Sequence, residues 1–590
     1  MGKKSEYNEL DTVSKGSLLK KLMKYHKPYK GYVILAVCLM VCSNVCVLLG
    51  PYLSGIAIDI IGDMTGVERM DEVIRLCFVM IVLYIISSCL TFVISRIMIH
   101  IGKNISSTLR REVEDHLLDL PISYFDTKQA GDIISCLSYD IGVLNTALTN
   151  DIITIGNSII TITFSLFMML TISPILIVVL VITSTMTAVF ARYRLKVTKP
   201  LFRRRSRKLG QLNGYAEEIL SGLKTIIAYH QQEKMIERFG AQNDDASNAY
   251  VKADYQGGIM GSIMGFIGNV SLSLVGLAGT IFYMSGLITI GNLSAFVLYS
   301  RKFTGPINEL ANITGEIQSA FSAANRIFSL LEEEPEALDI EKAIELKEVK
   351  GNINFEQVDF GYVSDKIILS DMNLEAKSGQ TIAIVGPTGA GKTTIINLLM
   401  RFYDYQKGTV TIDGIPLTSL TRKSLRKSFS MVLQETWIFK GTIFENIAYI
   451  HKDATLEDVK RVAKDARIDT FIDTLPNGYD TVITDEGSNI SKGQKQLISI
   501  ARAMLVDAPM LILDEATSNI DSATEVLVQE AMSNLMKDKT CFVIAHRLST
   551  IQHADNILVI GNGKIMEQGT HEQLLEQKGQ YHTMYYSQFV

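Results

Sequence analysis

Long apolar runs dominate the first half of the chain. Six can be recognised: Tyr32–Leu49, which can continue to Ile61, Leu76–Ile94, Ile152–Ile172, Pro174–Phe190, Ile263–Ile290 and a weaker run over Leu293–Ile313. Each of the first five approaches the roughly 20 residues that a helix needs to cross a bilayer core. The pattern predicts six membrane-spanning helices, of which the sixth is inferred from the first five and from the charges between them.

The charges on the connections predict the orientation. Lysines at Lys20–Lys30 precede the first run and Arg192–Lys208 is densely basic after the fourth, whereas Ile61–Glu72 and Thr171–Pro174 carry little or no positive charge. Because basic connections stay in the cytosol, we expect a multi-pass cell-membrane protein with both termini inside. A soluble helical core would have to bury several uncharged runs side by side, which argues against it. Ser17–His26 has leucines on one side and lysines on the other, so we expect a short helix at the membrane surface.

Two intervals between the apolar runs are too long to be turns. Ser95–Asp151 and Arg192–Gly261 both carry helical periodicity with charged faces, so the helices are expected to continue into the cytosol. Each interval has a candidate tip, at Leu120–Asp126 and at Glu217–Phe239. The second tip is predicted to be a long amphipathic helix that passes Gly222.

Two basic residues lie inside the sixth run. Charges at this depth usually face a water-filled cavity or a partner charge. Arg301 and Lys302 could therefore line a translocation pathway that favours an anionic or polar substrate group, or they could pair with Glu309 or Asp59. The sequence leaves both interpretations open.

The composition changes at the acidic, proline-marked segment Glu332–Glu336. We expect a tail and interfacial helix over 1–31, a transmembrane domain over 32–325, a linker over 326–350 and a soluble domain over 351–590. The formal net charge is −5, from 57 Lys and Arg against 62 Asp and Glu, which gives no reason to expect nucleic acid as a partner.

The soluble domain is predicted to be α/β because apolar strand-like runs alternate with helical ones. The strand-like runs are Asn352–Phe360, Thr381–Val385, Met510–Leu513 and Cys541–Ala545.

A glycine-rich loop follows the second of these strands and precedes the helix-like Ile395–Leu399. It matches the phosphate-binding pattern G-x-x-x-x-G-K-[ST] in full, with the residues Gly386, Pro387, Thr388, Gly389, Ala390, Gly391, Lys392, Thr393 and Thr394. Its backbone N–H groups and the helix N-terminus are expected to hold the β- and γ-phosphates of a nucleoside triphosphate. Lys392 would add a positive charge and Thr393 a hydroxyl ligand for Mg²⁺.

Two adjacent carboxylates end the strand at Met510–Leu513. Carboxyl ends of parallel strands share one edge of a sheet, so Asp514 and Glu515 are expected beside the phosphate loop. At this position the two carboxylates can take separate roles in phosphoryl transfer. Asp514 would hold Mg²⁺, directly or through water, and Glu515 would orient or deprotonate the attacking water.

Further motifs accompany the phosphate loop: Gln434 in Leu433-Gln434-Glu435, Ile490-Ser491-Lys492-Gly493-Gln494, Leu513-Asp514-Glu515-Ala516-Thr517-Ser518, Asn519-Ile520-Asp521 and Ala545-His546-Arg547. With these motifs, from about residue 17 to its end, the chain resembles the ATP-binding cassette exporters of the half-transporter kind, in which Ile490–Gln494 is the family signature. This resemblance implies a six-helix all-α transmembrane domain followed by an α/β P-loop ATPase domain. Pro121–Asp132 and Glu217–Phe239 resemble the first and second coupling helices of these exporters.

The resemblance implies roles for individual residues, with ATP and Mg²⁺ as cofactors. Tyr362 would stack on adenine, although a core tyrosine is the alternative. Gln434 would contact Mg²⁺ and the attacking water, and His546 would hold the γ-phosphate. In the signature, Ser491 and Gly493 would reach the ATP of a partner subunit, with Ser491 capping a helix. Gln494 and Asp521 complete the candidate cofactor-binding set.

Such a site requires two chains. Lys492 stands where the family usually has a second glycine, while Glu515 and His546 are both kept. The chain could form a homodimer or be the hydrolysing half of a heterodimer, and we favour the heterodimer because Asp485–Ser488 differs from the commoner homodimer form. The expected function is ATP-driven export of a small molecule, amphiphile or peptide by alternating access, in contact with membrane lipid. An importer or lipid flippase is the alternative, and an ATP-gated channel is disfavoured by the intact catalytic pair. The sequence does not name the cargo.

Overall fold

The computed structural model describes residues 15–62, 69–363, 366–434, 436–451, 453–484, 489–514, 521–544 and 551–588. The chain separates into two compact units. The first runs to Leu118 and resumes over Ala130–Glu333, and the second comprises Asp119–Gln129 and the chain from Glu334 onwards. The loop between two long helices of the first unit therefore belongs structurally to the second.

Long helices make up the first unit. Its helices are α1 Lys15–His26, α2 Lys30–Gly62, α3 Met70–Asp119, α5 Ala130–Ser135, α6 Ile141–Thr146, α7 Ile152–Ile172, α8 Pro174–Ser221, α9 Leu223–Ala228, α10 Gln232–Met284 and α11 Ile290–Leu331, and the short α4, Ile122–Thr127, belongs to the second unit. Two π turns, Cys136–Asp140 and Ala147–Asp151, join α5, α6 and α7 into one continuous helix. Each π turn ends at an aspartate.

Four helical stretches of the described residues are long and apolar enough to cross a membrane. They are Gly16–Gly62, Met70–Asp119, Ala130–Ile172 and Gly265–Met284, and they contain or overlap the first, second, third and fifth predicted spans. Helix α8 runs through the predicted fourth span and begins with the apolar stretch Pro174–Thr183, and α11 runs through the predicted sixth span. Six crossings therefore stay a prediction, although six long helices are present.

Two helix boundaries differ from those expected. The run Ile263–Ile290 is not one helix, because α10 ends at Met284 and Gly286 turns the chain with a φ of +72° before α11 begins. The continuous helix expected past Gly222 is also wrong, since α8 ends at Ser221 and α9 is a separate helix. His230, at a φ of +50°, then redirects the chain into α10. Glycine at a helix end and a left-handed residue both interrupt the helical ladder locally.

The charged residues of α11 do not form the pairs considered above. Asp59 instead accepts hydrogen bonds of 2.7 Å from the Thr289 hydroxyl and from the Gly291 backbone N–H, at the start of α11. Glu309 accepts one from the Ser158 hydroxyl at 3.3 Å. Within the described residues neither Arg301 nor Lys302 makes an ion pair, so pairing with Asp59 or Glu309 is wrong there. A role in a pathway stays a prediction.

The second unit is an α/β domain, as predicted. Its strands are β1 Ile353–Phe360, β2 Leu369–Ala376, β3 Thr381–Val385, β4 Lys407–Ile412, β5 Ile415–Pro416, β6 Phe429–Val432, β7 Gly441–Thr442, β8 Val482–Ile483, β9 Met510–Asp514, β10 Thr540–Ile544, β11 Asn556–Gly561 and β12 Lys564–Gly569. Its further helices are α12 Lys392–Leu399, α13 Arg422–Lys427, α14 Ile443–Ile447, α15 Leu456–Asp465, α16 Asp469–Asp473, α17 Lys492–Val506, α18 Ser522–Met536, α19 His571–Glu576 and α20 Gln580–Gln588.

A six-stranded sheet in the order β12-β11-β3-β10-β9-β6 forms the centre of this unit, beside an antiparallel sheet in the order β2-β1-β4-β5. The strands from β11 to β6 run parallel. Ile544 is level with both Ile384 and Asp514, and Val432 is level with Leu513. The carboxyl ends of β3, β10, β9 and β6 therefore meet at one edge, where ligands of such sheets bind.

Candidate functional site

The phosphate loop leaves β3 and enters α12 with the backbone that its glycines allow. Gly386, Gly389 and Gly391 have φ values of +153°, +83° and +104°. Gly391 caps α12, and a Cβ atom there would lie 2.7 Å from Cδ2 of Leu369, so a larger residue would be both strained and crowded. Pro387 and Thr388 are exposed on the loop, while Ala390 is buried beneath it. The predicted strand–loop–helix arrangement is confirmed.

Lys392 extends its ammonium group back over this loop. Its Nζ donates hydrogen bonds to the carbonyl oxygens of Gly386 at 2.8 Å and Pro387 at 3.1 Å. Burial lowers the pKa of Lys392, and the carboxylate of Asp514 acts in the opposite direction. The next residue, Thr393, is exposed, whereas Thr394 is buried. A cation and an exposed hydroxyl therefore stand side by side at the N-terminus of α12.

Oxygen ligands for a divalent cation lie at the same sheet edge. Asp514 ends β9, and Gln434 follows the neighbouring strand β6 by two residues. Carboxylate, amide and hydroxyl oxygens suit Mg²⁺, which is usually held by one or two protein groups together with the phosphates. Within the described residues no group of three or more His, Cys, Asp or Glu side chains could hold a metal alone. The donor set of Thr393, Gln434 and Asp514 fits such a shared ion. Glu515 and His546 lie outside the described residues.

Tyr362 stands over α12 with its ring half-exposed. Its hydroxyl lies 3.2 Å from the Thr394 hydroxyl and accepts a 3.0 Å hydrogen bond from the Asn397 side chain. The ring meets Phe360 and Tyr403 edge to face, at centroid distances of 5.0 and 4.9 Å. Because 45% of Tyr362 is exposed, the structure does not make it a core tyrosine. A planar ligand has access to it beside the phosphate loop.

The signature residues form the N-terminus of α17. Ser491 and Gln494 make a capping box, in which the Ser491 hydroxyl accepts from the Gln494 N–H at 3.2 Å and the Gln494 side chain accepts from the Ser491 N–H at 2.8 Å. The predicted cap is confirmed. Gly493 is buried, whereas Lys492 is exposed. Gln494 is therefore engaged in the cap, and Ser491 is the exposed hydroxyl at the end of a 15-residue helix.

Asp521 has a structural partner of its own. Its carboxylate caps α18 by accepting a 2.9 Å hydrogen bond from the Thr524 N–H. That backbone hydrogen bond lowers the pKa of Asp521. The ionised cap, which lies six residues after Glu515 in the sequence, fixes where α18 begins.

The family follows from two matches to known domains. Residues 33–307 match the family described as "ABC transporter transmembrane region", and residues 369–518 match the family described as "ABC transporter". The chain belongs to the ABC transporters. The resemblance inferred from the motifs is confirmed, and so is the fold of a helical transmembrane domain followed by an ABC domain. ABC proteins of this kind couple ATP hydrolysis to transport, so the chain is an ATP-binding membrane transporter.

Several relatives match most or all of the chain. An ABC transporter ATP-binding protein of Bacillus subtilis, YfiC, is 40% identical over 590 residues, which cover 100% of this chain and 96% of YfiC. The fatty acid ABC transporter ATP-binding/permease protein of Mycobacterium tuberculosis is 42% identical over 476 residues, covering 81% of this chain and 75% of that protein. An ATP-dependent lipid A-core flippase of Idiomarina loihiensis is 33% identical over 586 residues, covering 98% and 99%.

A solved structure supports the same architecture. The structure of a bacterial Atm1-family ABC exporter with ATP bound matches with a TM-score of 0.76 and 26% identity, covering 95% of this chain and 98% of that one. The half-transporter arrangement of that fold implies dimerisation with a second half-transporter.

Arg502, a positioning residue of the ABC domain, was not identified from the sequence. Arg502 on α17 donates to the backbone carbonyl oxygens of Asn446 at 2.9 Å and Trp437 at 3.2 Å, which lie on the segment that follows Gln434. Its guanidinium group also lies against the stacked rings of Phe439 and Tyr449, at 5.9 and 5.4 Å from their centroids. Arg502 therefore ties the signature helix to the segment after Gln434. An arginine within an apolar helix was a sequence signal for such a residue. Its hydrogen-bond partners could not be identified from it, because they lie some 60 positions away in the sequence.

Proposed function

We propose that this chain is the hydrolysing half of a dimeric exporter, with its ATP site at the edge of the central sheet. The observation that carries the proposal is the Lys392 ammonium group, which donates hydrogen bonds to the phosphate-loop carbonyls of Gly386 and Pro387 and is influenced electrostatically by the carboxylate of Asp514. A phosphate chain can replace those carbonyls as the partner of the ammonium group, as in other P-loop sites. The N-terminus and the ABC domain would lie in the cytosol.

Each candidate residue has a role in this site. The loop N–H groups and Lys392 would bind and orient the β- and γ-phosphates, and Tyr362 would stack on the adenine. Thr393, Gln434 and Asp514 would hold Mg²⁺, which neutralises charge on the phosphates when bound. Glu515 would orient the attacking water and accept its proton, and His546 would donate to the γ-phosphate. The reaction breaks the bond between the β,γ-bridging oxygen and the γ-phosphorus.

The second half of the site would come from a partner chain. Ser491 is exposed at the N-terminus of a 15-residue helix, where N–H groups and the helix dipole favour a phosphate. We propose that it reaches the ATP held by the partner, and that the partner is a related but different chain. Glu515 and His546 would then make this chain the competent half. Mass photometry of the chain expressed alone tests the partnership, and a stable homodimer with ATPase activity would contradict it.

An amphiphile is the cargo class that we favour. Two relatives are named for fatty acid and for lipid A-core, both of which join a long apolar part to a polar one. A flippase that moves such a lipid between leaflets is the second candidate, since the relative named as a flippase matches 98% of this chain. ATPase stimulation by a fatty acid, a glycolipid, a peptide and a drug-like amphiphile tests the class. Stimulation by the peptide alone would contradict it.

The substitution Glu515→Gln tests the hydrolytic site. The amide keeps the size of the side chain but cannot accept a proton, so ATP hydrolysis should nearly vanish while ATP binding persists. Glu576→Gln, at an exposed glutamate of the same domain, is the matched control and should change neither. Unchanged turnover in Glu515→Gln would overturn the assignment of the base.

A further inference from the structure

A basic groove lies where α1 turns into α2, outside the ABC domain. The groove has a volume of about 830 Å³ and is lined by five lysines: Lys20, Lys21, Lys24, Lys27 and Lys30. No acidic side chain is among its lining residues in the described part of the chain. Such a cluster of positive charges within eleven residues favours an anionic ligand, because the lysines without a counter-charge repel one another until an anion enters.

Four of these lysines are available to such a ligand. Lys20, Lys24, Lys27 and Lys30 are exposed and make no ion pair with any residue that the structure describes. Lys21 differs, since its Nζ bonds to the carboxylate of Glu332. The imidazole of His26 also lines the groove, and its Nε2 atom is shut off from solvent without a hydrogen-bond partner among the described residues. A buried polar atom without a partner is costly unless a ligand or water meets it.

An apolar stripe continues from the basic groove along α2. Val33 and Ile34 line the groove itself, and Ile34, Val37 and Val41 are exposed at positions that share one face of the helix. The helical stretch Gly16–Gly62 that carries this stripe is long and apolar enough to cross a membrane. A phospholipid has a charged headgroup and apolar acyl chains, so it can use both the lysines and the apolar stripe. Free phosphate could use only the lysines.

Side chains of α1 attach this helix to α3 and α11. The Tyr25 hydroxyl donates a 2.5 Å hydrogen bond to the Glu112 carboxylate on α3, and the Tyr25 ring lies 6.2 Å from that of Phe328 on α11. Lys21 lies over the same Phe328 ring at 5.5 Å. Because α1 is anchored to two other helices, the backbone that carries these lysines is already positioned, and only their side chains must be ordered when a ligand binds.

We propose that this groove binds the headgroup of an anionic phospholipid, whose acyl chains follow Ile34, Val37 and Val41 along α2. The lysines contact the phosphate and any second anionic group. A lysine close to an anionic lipid surface contributes enough binding free energy that the loss of three lysines should weaken lipid binding by about tenfold or more. The site is independent of the nucleotide site and of the cargo.

The test compares lipid retention by the purified full-length chain. Equimolar phosphatidylglycerol and phosphatidylcholine with the same acyl chains are added, and the retained lipids are counted by native mass spectrometry. We expect a preference of about tenfold for phosphatidylglycerol, which the triple variant Lys20→Gln, Lys24→Gln, Lys27→Gln removes. Conversion of the same three positions to Arg should keep the preference. ATP binding by each variant shows that the chain is folded.

The matched control removes three exposed lysines from α9 and α10, with the substitutions Lys224→Gln, Lys234→Gln and Lys252→Gln. It should keep the preference for phosphatidylglycerol. Equal loss in both triple variants would mean a general charge effect and would overturn the proposal. Equal retention of the two lipids by the unaltered chain, or complete displacement by excess inorganic phosphate, would also overturn it. Retention of phosphatidylglycerol that appears only after residues 1–14 are deleted would also contradict the proposal, because the groove would then be occupied by the chain's own N-terminal segment.

Discussion

The hydroxyl of Tyr403 donates a 2.6 Å hydrogen bond to the carboxylate of Asp126. Asp126 lies in α4, within the loop segment Asp119–Gln129 that belongs structurally to the ABC domain. Burial and the nearby carboxylate raise the pKa of Tyr403, so the phenol stays protonated and keeps donating over the physiological range. The ring of Tyr403 also meets that of Tyr362 edge to face. A continuous contact therefore joins the loop resembling a coupling helix to the candidate adenine-stacking residue.

We predict that Tyr403→Phe uncouples cargo from hydrolysis. The substitution keeps the ring contact with Tyr362 but removes the hydrogen bond to Asp126, which to a charged acceptor contributes about 1.5 kcal/mol or more. The cargo-stimulated part of the ATPase rate should fall about tenfold, while basal hydrolysis and ATP affinity change by about twofold at most. Steady-state ATPase assays with and without cargo measure both parts.

The control for this prediction is Tyr405→Phe. Tyr405 is half-buried in the same domain, and removal of its hydroxyl should leave cargo stimulation intact. An equal loss of basal and stimulated ATPase in Tyr403→Phe would show that the hydroxyl supports the domain generally. The specific link between Asp126 and hydrolysis would then be wrong.

A second prediction separates the two roles of Ser491. Ser491→Ala removes the cap of α17 and should cost about 1 kcal/mol of stability as well as activity. Ser491→Asp keeps a good cap but places a carboxylate where a phosphate is expected. Thermal stability should then be kept while ATP hydrolysis falls by about tenfold or more, because like charges repel in a site closed to water.

The neutral cap Ser491→Asn controls for size in that experiment. It should keep stability and retain more activity than Ser491→Asp. Hydrolysis at the unaltered rate in the aspartate variant would mean that no phosphate approaches Ser491. The dimeric site proposed above would then lose its main support from the signature helix.

A third prediction concerns the bidentate pair between Arg326 and Asp140. The Nε atom of Arg326 donates to the Asp140 carboxylate at 2.7 Å, and only 1% of Asp140 is exposed. Arg326→Gln would leave a buried carboxylate without its counter-charge, at a cost of about 3 kcal/mol. The double variant with Asp140→Asn should recover part of this loss, since neither side chain is then charged. Unfolding by a denaturing detergent measures the difference, and equal stability of the single and double variants would contradict it.

Most of the fold class could be predicted from local sequence patterns. Strand β3, the phosphate loop and α12 could be predicted because apolar runs, glycines and Lys392 lie next to one another in the sequence. The sequence also indicated where Asp514 would stand, since parallel strands end at a common edge. The cap formed by Ser491 is likewise local, with its partner three residues away.

Contacts between distant residues could not be predicted in the same way. Tyr403 and Asp126 are 277 positions apart, and nothing in either neighbourhood points to the other. The turn of Arg502 towards Trp437 depends on how α17 packs against the sheet. The break at Gly222 was missed because the periodicity on both sides is helical, and periodicity averages over a single interrupted turn. Such features depend on tertiary packing, which outweighs local preference.

The final prediction concerns the pH dependence of the ABC domain through His571. Its Nδ1 atom lies 2.7 Å from the Tyr581 hydroxyl, and burial lowers its pKa below the ordinary value of 6.5. The folded domain therefore prefers the neutral imidazole. As the pH falls below about 6.5, the unfolded chain takes up a proton before the folded one does, so stability falls until the folded pKa is passed. Above about pH 6.5 this residue should contribute no pH dependence.

The single tryptophan of the chain, Trp437, makes this measurable in the intact protein, because it lies in the ABC domain. Its fluorescence should report a lower unfolding temperature at about pH 5.5 than at about pH 7.5, and His571→Gln should narrow that difference. The exposed His451, changed to Gln, is the control and should leave the difference as it is. If His571→Gln and His451→Gln gave the same pH dependence as the unaltered chain, other groups would govern acid unfolding and the proposed role of His571 would be wrong.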